Sequence, residues 1–206
     1  MMNLYERYPE LEVCRADIEK AADMIYETYQ KKGKVLACGN GGSCADSDHI
    51  VGELMKGFLS ERKMEKELLE KFQKQGFEDA EYMASHMQGA LPAISLTAQT
   101  GILTAFCNDV APDMMYAQMV YGYAAPNDLL IGLSTSGNSK NVVFAAKTAK
   151  ALGIATIAMT GAKESKLSAI CDVTIRVPET ETYKIQELHL PVYHYLCAEV
   201  ERRIFG

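Results

Sequence analysis

Short apolar runs that end in a glycine- or serine-rich loop and continue into a helical stretch recur along this chain of 206 residues. The first unit joins a strand at Val35–Cys38 to a helix at Ser43–Phe58. The second joins a strand at Leu129–Leu133, through the loop 134–139, to a helix at Asn141–Leu152. This order is typical of a parallel sheet covered by helices. We therefore expect an α/β fold that binds its ligand at the carboxyl ends of the strands.

The rest of the chain supplies further elements of the same kind. Three more strands are predicted, at Ala93–Leu96, Ile154–Met159 and Val173–Val177. Helical spacing of apolar residues over Leu11–Tyr29 predicts an N-terminal helix within residues 1–33. The segment Thr182–Phe205 is predicted as one helix, which Pro191 should kink or restart. The length suits one domain that covers residues 1–206.

The segment 61–88 differs from its surroundings in composition. It is dense in lysine and glutamate, with Leu68, Leu69 and Phe72 on one side. Such a pattern predicts a charged, solvated helical insertion. His86 lies in this segment, and we interpret it as having no functional role.

Charge and composition exclude several classes of partner. The formal net charge of −6 argues against a nucleic-acid surface, which needs clustered lysine and arginine. No apolar run is long enough for a membrane span, and Met1–Asp17 lacks the apolar core of a signal peptide. We expect a cytoplasmic protein without a membrane partner. The six cysteines form no C-x-x-C pair, and we interpret them as small apolar residues.

The loop after the first strand reads Cys38-Gly39-Asn40-Gly41-Gly42-Ser43. Glycines let backbone amides approach an anion, and the N-terminus of the following helix favours negative charge. Cys44 stands where a dinucleotide fingerprint needs a third small residue, and no Walker lysine follows. The loop thus indicates a phosphate site and argues against a Rossmann-type oxidoreductase.

The loop after the strand Leu129–Leu133 reads Ser134-Thr135-Ser136-Gly137-Asn138-Ser139. Its hydroxyls and backbone amides could surround a phosphate without any positive charge. The alternative is a serine-rich turn that ends in a helix cap, because serine and asparagine favour both positions.

Three histidines lie near acidic or amide side chains. His49 and Glu53 are four residues apart on a predicted helix and share a face, which suits either a metal pair or an acid/base pair. Gln186, His189 and His194 lie near the start of the last helix. Gln186 and His194 are roughly 12 Å apart along a straight helix, so pairing them would need a bend. His189 stays unassigned between core, supporting and ligand roles.

Together these blocks resemble the sugar isomerase (SIS) domain of the phosphoheptose isomerases. The resemblance implies a three-layer αβα sandwich with a five-stranded parallel sheet. It also implies a homotetramer with active sites between subunits. The implied reaction is the aldose–ketose isomerisation of a sugar phosphate through an enediolate, with sedoheptulose 7-phosphate as the first candidate substrate. Such a small-molecule sugar phosphate would be its partner.

The resemblance also implies roles for individual residues. Phosphate and sugar would be bound by Asn40, Gly41, Gly42, Ser43, Ser134, Thr135, Ser136, Ser139 and Gln186. Zn²⁺ would be bound by His49, Glu53, Gln186 and His194, a set of nitrogen and oxygen donors that suits this metal. Glu53 and His194 would act as base and acid.

Three positions depart from the family pattern. Gln99 and Tyr183 stand where the family has aspartates, and Lys184 stands where it has an arginine. These changes, together with the insertion 61–88, should reshape the pocket around the sugar more than around the phosphate or the metal. The candidate substrates are therefore pentose, hexose and heptulose phosphates. The alternative function is a non-catalytic SIS protein, either a sugar-phosphate sensor or an adaptor that binds a replication initiator.

Overall fold

The fold is known from a computed structural model that describes residues 3–64 and 66–206. Five strands are present in the described part: β1 (Val35–Cys38), β2 (Ala93–Ser95), β3 (Leu129–Leu133), β4 (Ala155–Thr160) and β5 (Val173–Arg176). They form one parallel sheet in the order β2-β1-β3-β4-β5. All residues of β1 and β3 are buried, as continuous apolar runs in a doubly covered sheet should be.

The helices of the described residues are α1 (Leu4–Arg7), α2 (Arg15–Gln30), α3 (Gly42–Met55), α4 (Lys66–Lys74), α5 (Ala80–His86), α6 (Thr100–Asp109), α7 (Met115–Tyr123), α8 (Lys140–Ala151) and α9 (Thr182–Phe205). Short 3₁₀ turns lie at Pro9–Cys14, Leu96–Ala98 and Pro112–Met114. The helices α6 and α7 were not predicted. Pro191 lies inside α9 and does not restart it.

Helices cover both faces of the sheet. On one face Ile131 packs in a core with residues of α2, α3 and α9, such as Ile18, Ile50 and Val192. On the other face Leu130 packs in a core with α7 and α8. Neighbouring residues of β3 thus face opposite layers, as the alternation of a strand requires. The predicted three-layer α/β sandwich with a five-stranded parallel sheet is confirmed.

The segment 61–88 carries α4 and α5, and neither helix buries a long side chain. Arg62 contradicts the interpretation of this segment as uniformly solvated, because it is only 2% exposed. Its guanidinium is paired with Glu201 of α9, at 2.6 Å between Nε and Oε1. Arg62 is thus part of the core because it pairs with Glu201. Its local sequence does not show this, since Glu201 lies far along the chain.

The cysteines agree in part with their interpretation as apolar residues. Cys14, Cys38 and Cys197 are buried, whereas Cys44, Cys107 and Cys171 are partly exposed. Burial raises the pKa of Cys14 to about 11 and that of Cys197 to about 12, so both thiols are protonated at neutral pH.

Candidate active site

The two loops predicted to bind phosphate lie side by side. They follow β1 and β3, which are neighbours in the sheet although β2 lies between them in sequence. This reversal of strand order is the point at which parallel sheets open a crevice for ligands. The side-chain amides of Asn40 and Asn141 exchange two hydrogen bonds, both 2.9 Å, and so join the first loop to the start of α8.

The glycine loop is shaped by backbone conformation and by close contacts. Gly41 has φ +58°, in the left-handed region that glycine adopts without strain. A Cβ on Gly42 would lie 2.5 Å from Gln186 Nε2, so the absence of a side chain lets Gln186 approach the first turn of α3. Ser43 is only 2% exposed. The loop thus presents Asn40, Gly41 and Gly42 to solvent and brings Gln186 beside them.

The serine loop folds back on itself. Ser134 Oγ donates to Ser139 Oγ at 2.9 Å, and Gly137, with φ +65°, forms the turn between them. Thr135 accepts a bond from Gly161 N at 3.0 Å through its carbonyl. Ser134 is buried, Thr135 and Ser139 are partly exposed, and Ser136 is exposed. The loop ends at the N-terminus of α8, whose free amides add favourable potential for an anion.

His49, Glu53 and His194 converge at one point, with one donor atom from each residue within 4.8 Å of the others. His49 Nε2 lies 3.0 Å from Glu53 Oε1 and 3.5 Å from His194 Nε2. Two histidines and a carboxylate form a donor set that suits zinc. Of the predicted metal residues, the structure therefore brings these three together.

The members of this cluster differ in their burial and in their charged neighbours. Burial lowers the pKa of His194, and the neighbouring His49 lowers it further, which favours the neutral imidazole. The Glu53 side chain is 13% exposed, and its Oε2 lies 3.4 Å from Lys56 Nζ. Phe58 lies beside His194, with 5.4 Å between ring centroids, and covers one side of it. The cluster is thus open to a ligand but partly shielded from water.

The end of α3, which carries Glu53, is fastened by Arg62. Its guanidinium donates to the carbonyl of Leu54 at 2.6 Å and to that of Glu53 at 2.9 Å. Glu201, the partner of Arg62, also accepts from the amides of Phe58 and Leu59. Free carbonyls at a helix end are commonly satisfied by such cations. The contact ties the backbone of Glu53 to α9.

The remaining predicted residues lie elsewhere. The amide of Gln186 packs against Gly42, at the other end of α3 from Glu53, and its role as a metal ligand stays a prediction. His189 is fully buried and its Nε2 lies 3.3 Å from the carbonyl of Thr160, so it belongs to the core. Gln99 donates to the carbonyl of Ser95 at 3.3 Å, at the carboxyl end of β2.

The residues that replace the family pattern near α9 are at its exposed start. Tyr183 is 57% exposed, and Lys184 Nζ pairs with Glu181 at 2.7 Å. Neither is a member of the cluster of His49, Glu53 and His194.

Sequence reasoning missed two polar residues beside His49. Tyr193 Oη lies 2.9 Å from His49 Nδ1, and it donates to Asp46 Oδ1 at 3.3 Å. Tyr193 is 1% exposed and precedes His194 in an apolar helix, so its pattern resembles that of an ordinary core residue. The spacing of Asp46 and His49 on α3 was the available signal, since residues three apart share a helix face.

Comparisons with known proteins agree with this geometry. Two descriptions of the SIS domain match the chain, one over residues 96–196 and one over residues 9–88. The phosphoheptose isomerase of Rhodospirillum rubrum is 37% identical over 188 residues, which cover 91% of this chain and 86% of that protein. The chain belongs to the phosphoheptose isomerase family.

Other members of the family match along the whole chain. The phosphoheptose isomerase of Akkermansia muciniphila is 34% identical over 206 residues, which cover 100% of this chain and 95% of that protein. The solved structure of the phosphoheptose isomerase from Neisseria gonorrhoeae has a TM-score of 0.76 and 30% identity. It covers 95% of this chain and 91% of that chain. In the described ranges, no helix is both long and apolar enough to cross a membrane.

Proposed function

We propose that this family member interconverts sedoheptulose 7-phosphate and an aldose heptose 7-phosphate through an enediolate. The observation that carries the proposal is the convergence of His49, Glu53 and His194 on one point. A carboxylate and a histidine are the groups that move protons between neighbouring carbon and oxygen atoms near neutral pH. A sensor or an adaptor would have no need for such a cluster.

The phosphate is assigned to the serine loop, to Ser134, Thr135, Ser136 and Ser139. The support is physical: hydroxyls, the loop amides and the start of α8 offer many donors around one anion. The sugar chain is assigned to Asn40, Gly41, Gly42, Ser43 and Gln186. The position of Gln186 beside Gly42 supports this second assignment.

The metal is assigned to His49, Glu53, Gln186 and His194, with zinc as the expected ion. The two Nε2 atoms at 3.5 Å and the carboxylate beside them support the first, second and fourth of these ligands. When bound, zinc would stabilise negative charge on the substrate oxygens.

The proton transfers are assigned to two residues. In the ketose-to-aldose direction Glu53 takes a proton from C1, which leaves an enediolate, and His194 supplies a proton to its C2 oxygen. The C1 hydroxyl then gives its proton to His194 as Glu53 returns a proton to C2, so the aldehyde forms at C1 and both residues return to their starting states. The carboxylate is half-shielded and its backbone is fastened by Arg62, so its position is defined before the substrate binds.

The family resemblance gives two further expectations. The protein would act as a homotetramer whose active sites are shared between subunits, and it would work in the cytoplasm. Size-exclusion chromatography with light scattering checks the first of these.

The decisive experiment follows solvent deuterium into the substrate. Zinc-loaded protein is incubated in deuterated water with sedoheptulose 7-phosphate, and NMR records exchange at C1 and the formation of aldose. Fructose 6-phosphate and ribulose 5-phosphate serve as shorter competitors. Exchange and aldose formation with the heptulose support the proposal. Binding of the sugar phosphate without any exchange would instead favour a sensor.

A further inference from the structure

Tyr193 occupies an unusual position for a buried residue. It is 1% exposed, yet its hydroxyl touches two polar atoms from α3. The distances from Tyr193 Oη are 2.9 Å to His49 Nδ1 and 3.3 Å to Asp46 Oδ1. These contacts join α9 to α3 beside the cluster. A tyrosine hydroxyl can donate one hydrogen bond and accept another, and both partners are in reach here.

The direction of these hydrogen bonds follows from a count of protons. A histidine that offers Nε2 to a metal carries its proton on Nδ1, and that N–H needs an acceptor. The atom facing His49 Nδ1 is Tyr193 Oη. A phenol oxygen can accept while its single proton is donated elsewhere, and Asp46 Oδ1 is the acceptor in reach. The N–H of His49 and the O–H of Tyr193 then each have an acceptor.

The second oxygen of Asp46 strengthens the argument. Oδ2 is buried and has no hydrogen-bond partner in residues 3–64 and 66–206. Burial of a carboxylate costs free energy, and a hydrogen bond offsets part of that cost. The hydrogen bond to Tyr193 is the contact that its side chain makes with the cluster region.

We propose that Tyr193, oriented by Asp46, is a positioning residue that holds the His49 ring and its Nδ1–H tautomer, so that Nε2 faces Glu53 and His194. This inference rests on the proposed metal site. Without Asp46, the Tyr193 proton would be donated to His49 Nδ1. That arrangement places the histidine proton on Nε2, where it competes with the metal.

Zinc affinity, measured by competition with a chromophoric chelator, tests the inference without any turnover assay. Tyr193→Phe keeps the ring and removes the hydroxyl, and it should weaken zinc binding by about tenfold or more. Asp46→Ala should weaken binding similarly, whereas Asp46→Asn, whose amide oxygen still accepts, should restore most of the affinity. Because Asp46 acts through Tyr193, the double variant Asp46→Ala with Tyr193→Phe should be no weaker than Tyr193→Phe alone.

The matched control is Tyr195→Phe, two positions along α9, whose ring lies 6.0 Å from that of Tyr5. It should leave zinc affinity unchanged. A spectroscopic readout accompanies the titration: zinc-loaded, ¹⁵N-histidine-labelled protein should show a slowly exchanging His49 Nδ1–H signal, which Tyr193→Phe shifts or loses. If the wild type binds zinc and Tyr193→Phe binds it equally well, this inference alone is overturned. If the wild type binds no zinc, the proposed metal site fails with it.

Discussion

The serine loop and the histidine–glutamate cluster are built in opposite ways. The loop Ser134–Ser139 is formed by consecutive residues, and hydrogen bonds within it join Ser134 to Ser139 and Ser136 to Asn138. The cluster joins His49 and Glu53 of α3 to His194 of α9, and it depends on how two helices pack. A local site is determined by a short stretch of sequence, whereas a composite site also depends on residues that fix its helices. Variants should therefore damage the two sites differently.

The largest effect is expected at the cluster itself. Glu53→Gln keeps the shape of the side chain but cannot take a proton, and kcat should fall by about 10²–10⁴-fold. Binding of sedoheptulose 7-phosphate, measured by calorimetry, should change little, because the serine loop is untouched. Metal analysis of the variant serves as control, since the amide oxygen can still ligate. A variant with near-normal turnover would remove Glu53 as the base.

The next largest effect is on stability, through the contacts of Arg62 with the C-terminal end of α3. Arg62→Met would leave the buried carboxylate of Glu201 without its partner, at a cost of about 3–5 kcal/mol in the free energy of unfolding. Arg62 also has φ +43°, a conformation that is strained for a residue with a side chain and persists only with strong contacts. Urea denaturation measures the loss.

Lys63→Met is the matched control for Arg62→Met, because the Lys63 side chain is 87% exposed and it should change stability little. Adding Glu201→Gln to Arg62→Met should recover part of the lost stability, because the unpaired charge is removed. Equal stability of Arg62→Met and Lys63→Met would show that the buried pair does not hold this end of α3.

The serine loop should respond to a change in its turn. Gly137→Ala places a Cβ in the left-handed region, 2.1 Å from Ser165 Oγ and 2.4 Å from Ser165 Cβ. Strain and overpacking together should cost about 3 kcal/mol in stability. KM should rise more than kcat falls, because the loop binds phosphate and the cluster moves protons. Gly122→Ala in α7 is the control, since its Cβ would meet nothing within 4 Å in the described structure.

The same contrast explains what could be predicted from sequence. The bounds of β1 and β3 were predicted correctly, because buried parallel strands are continuous apolar runs between loop signals. The bounds of β2 and β4 differ from prediction by about one residue, as element ends usually do. The helices α6 and α7 were missed. No residue of α6 is buried, so its apolar residues carry no core-facing stripe.

For the site, the local loops and the pair of His49 and Glu53 could be found from spacing alone. The addition of His194 came from the family resemblance, and the structure brings it to the pair. Arg62 and Tyr193 could not be recognised. Their partners Glu201 and Asp46 are 139 and 147 positions away, and no local pattern marks such pairs. Composite contacts need the packing of α3 against α9 to be known first.

The smallest expected effect is on the pH dependence of stability. It concerns His189, which lies on α9 like His194 but outside the cluster. Burial lowers the pKa of His189 to about 4, and it donates from Nε2 to the carbonyl of Thr160 as a neutral ring. Between pH 6.5, the ordinary pKa of histidine, and pH 4, His189 binds a proton in the unfolded chain but stays neutral in the folded chain. The stability that neutral His189 contributes is thus complete above pH 6.5 and is lost as the pH falls toward 4.

Between pH 7 and pH 5, this linkage should remove about 2 kcal/mol from the free energy of unfolding. His189→Gln cannot titrate and can still donate to Thr160, so its stability should fall less over the same range. Denaturation of zinc-free protein at both pH values measures the difference. His86→Gln on the exposed helix α5 is the control, because it makes the same histidine-to-glutamine change away from α9. Parallel pH profiles for wild type and His189→Gln would mean that the fold does not lower the pKa of His189.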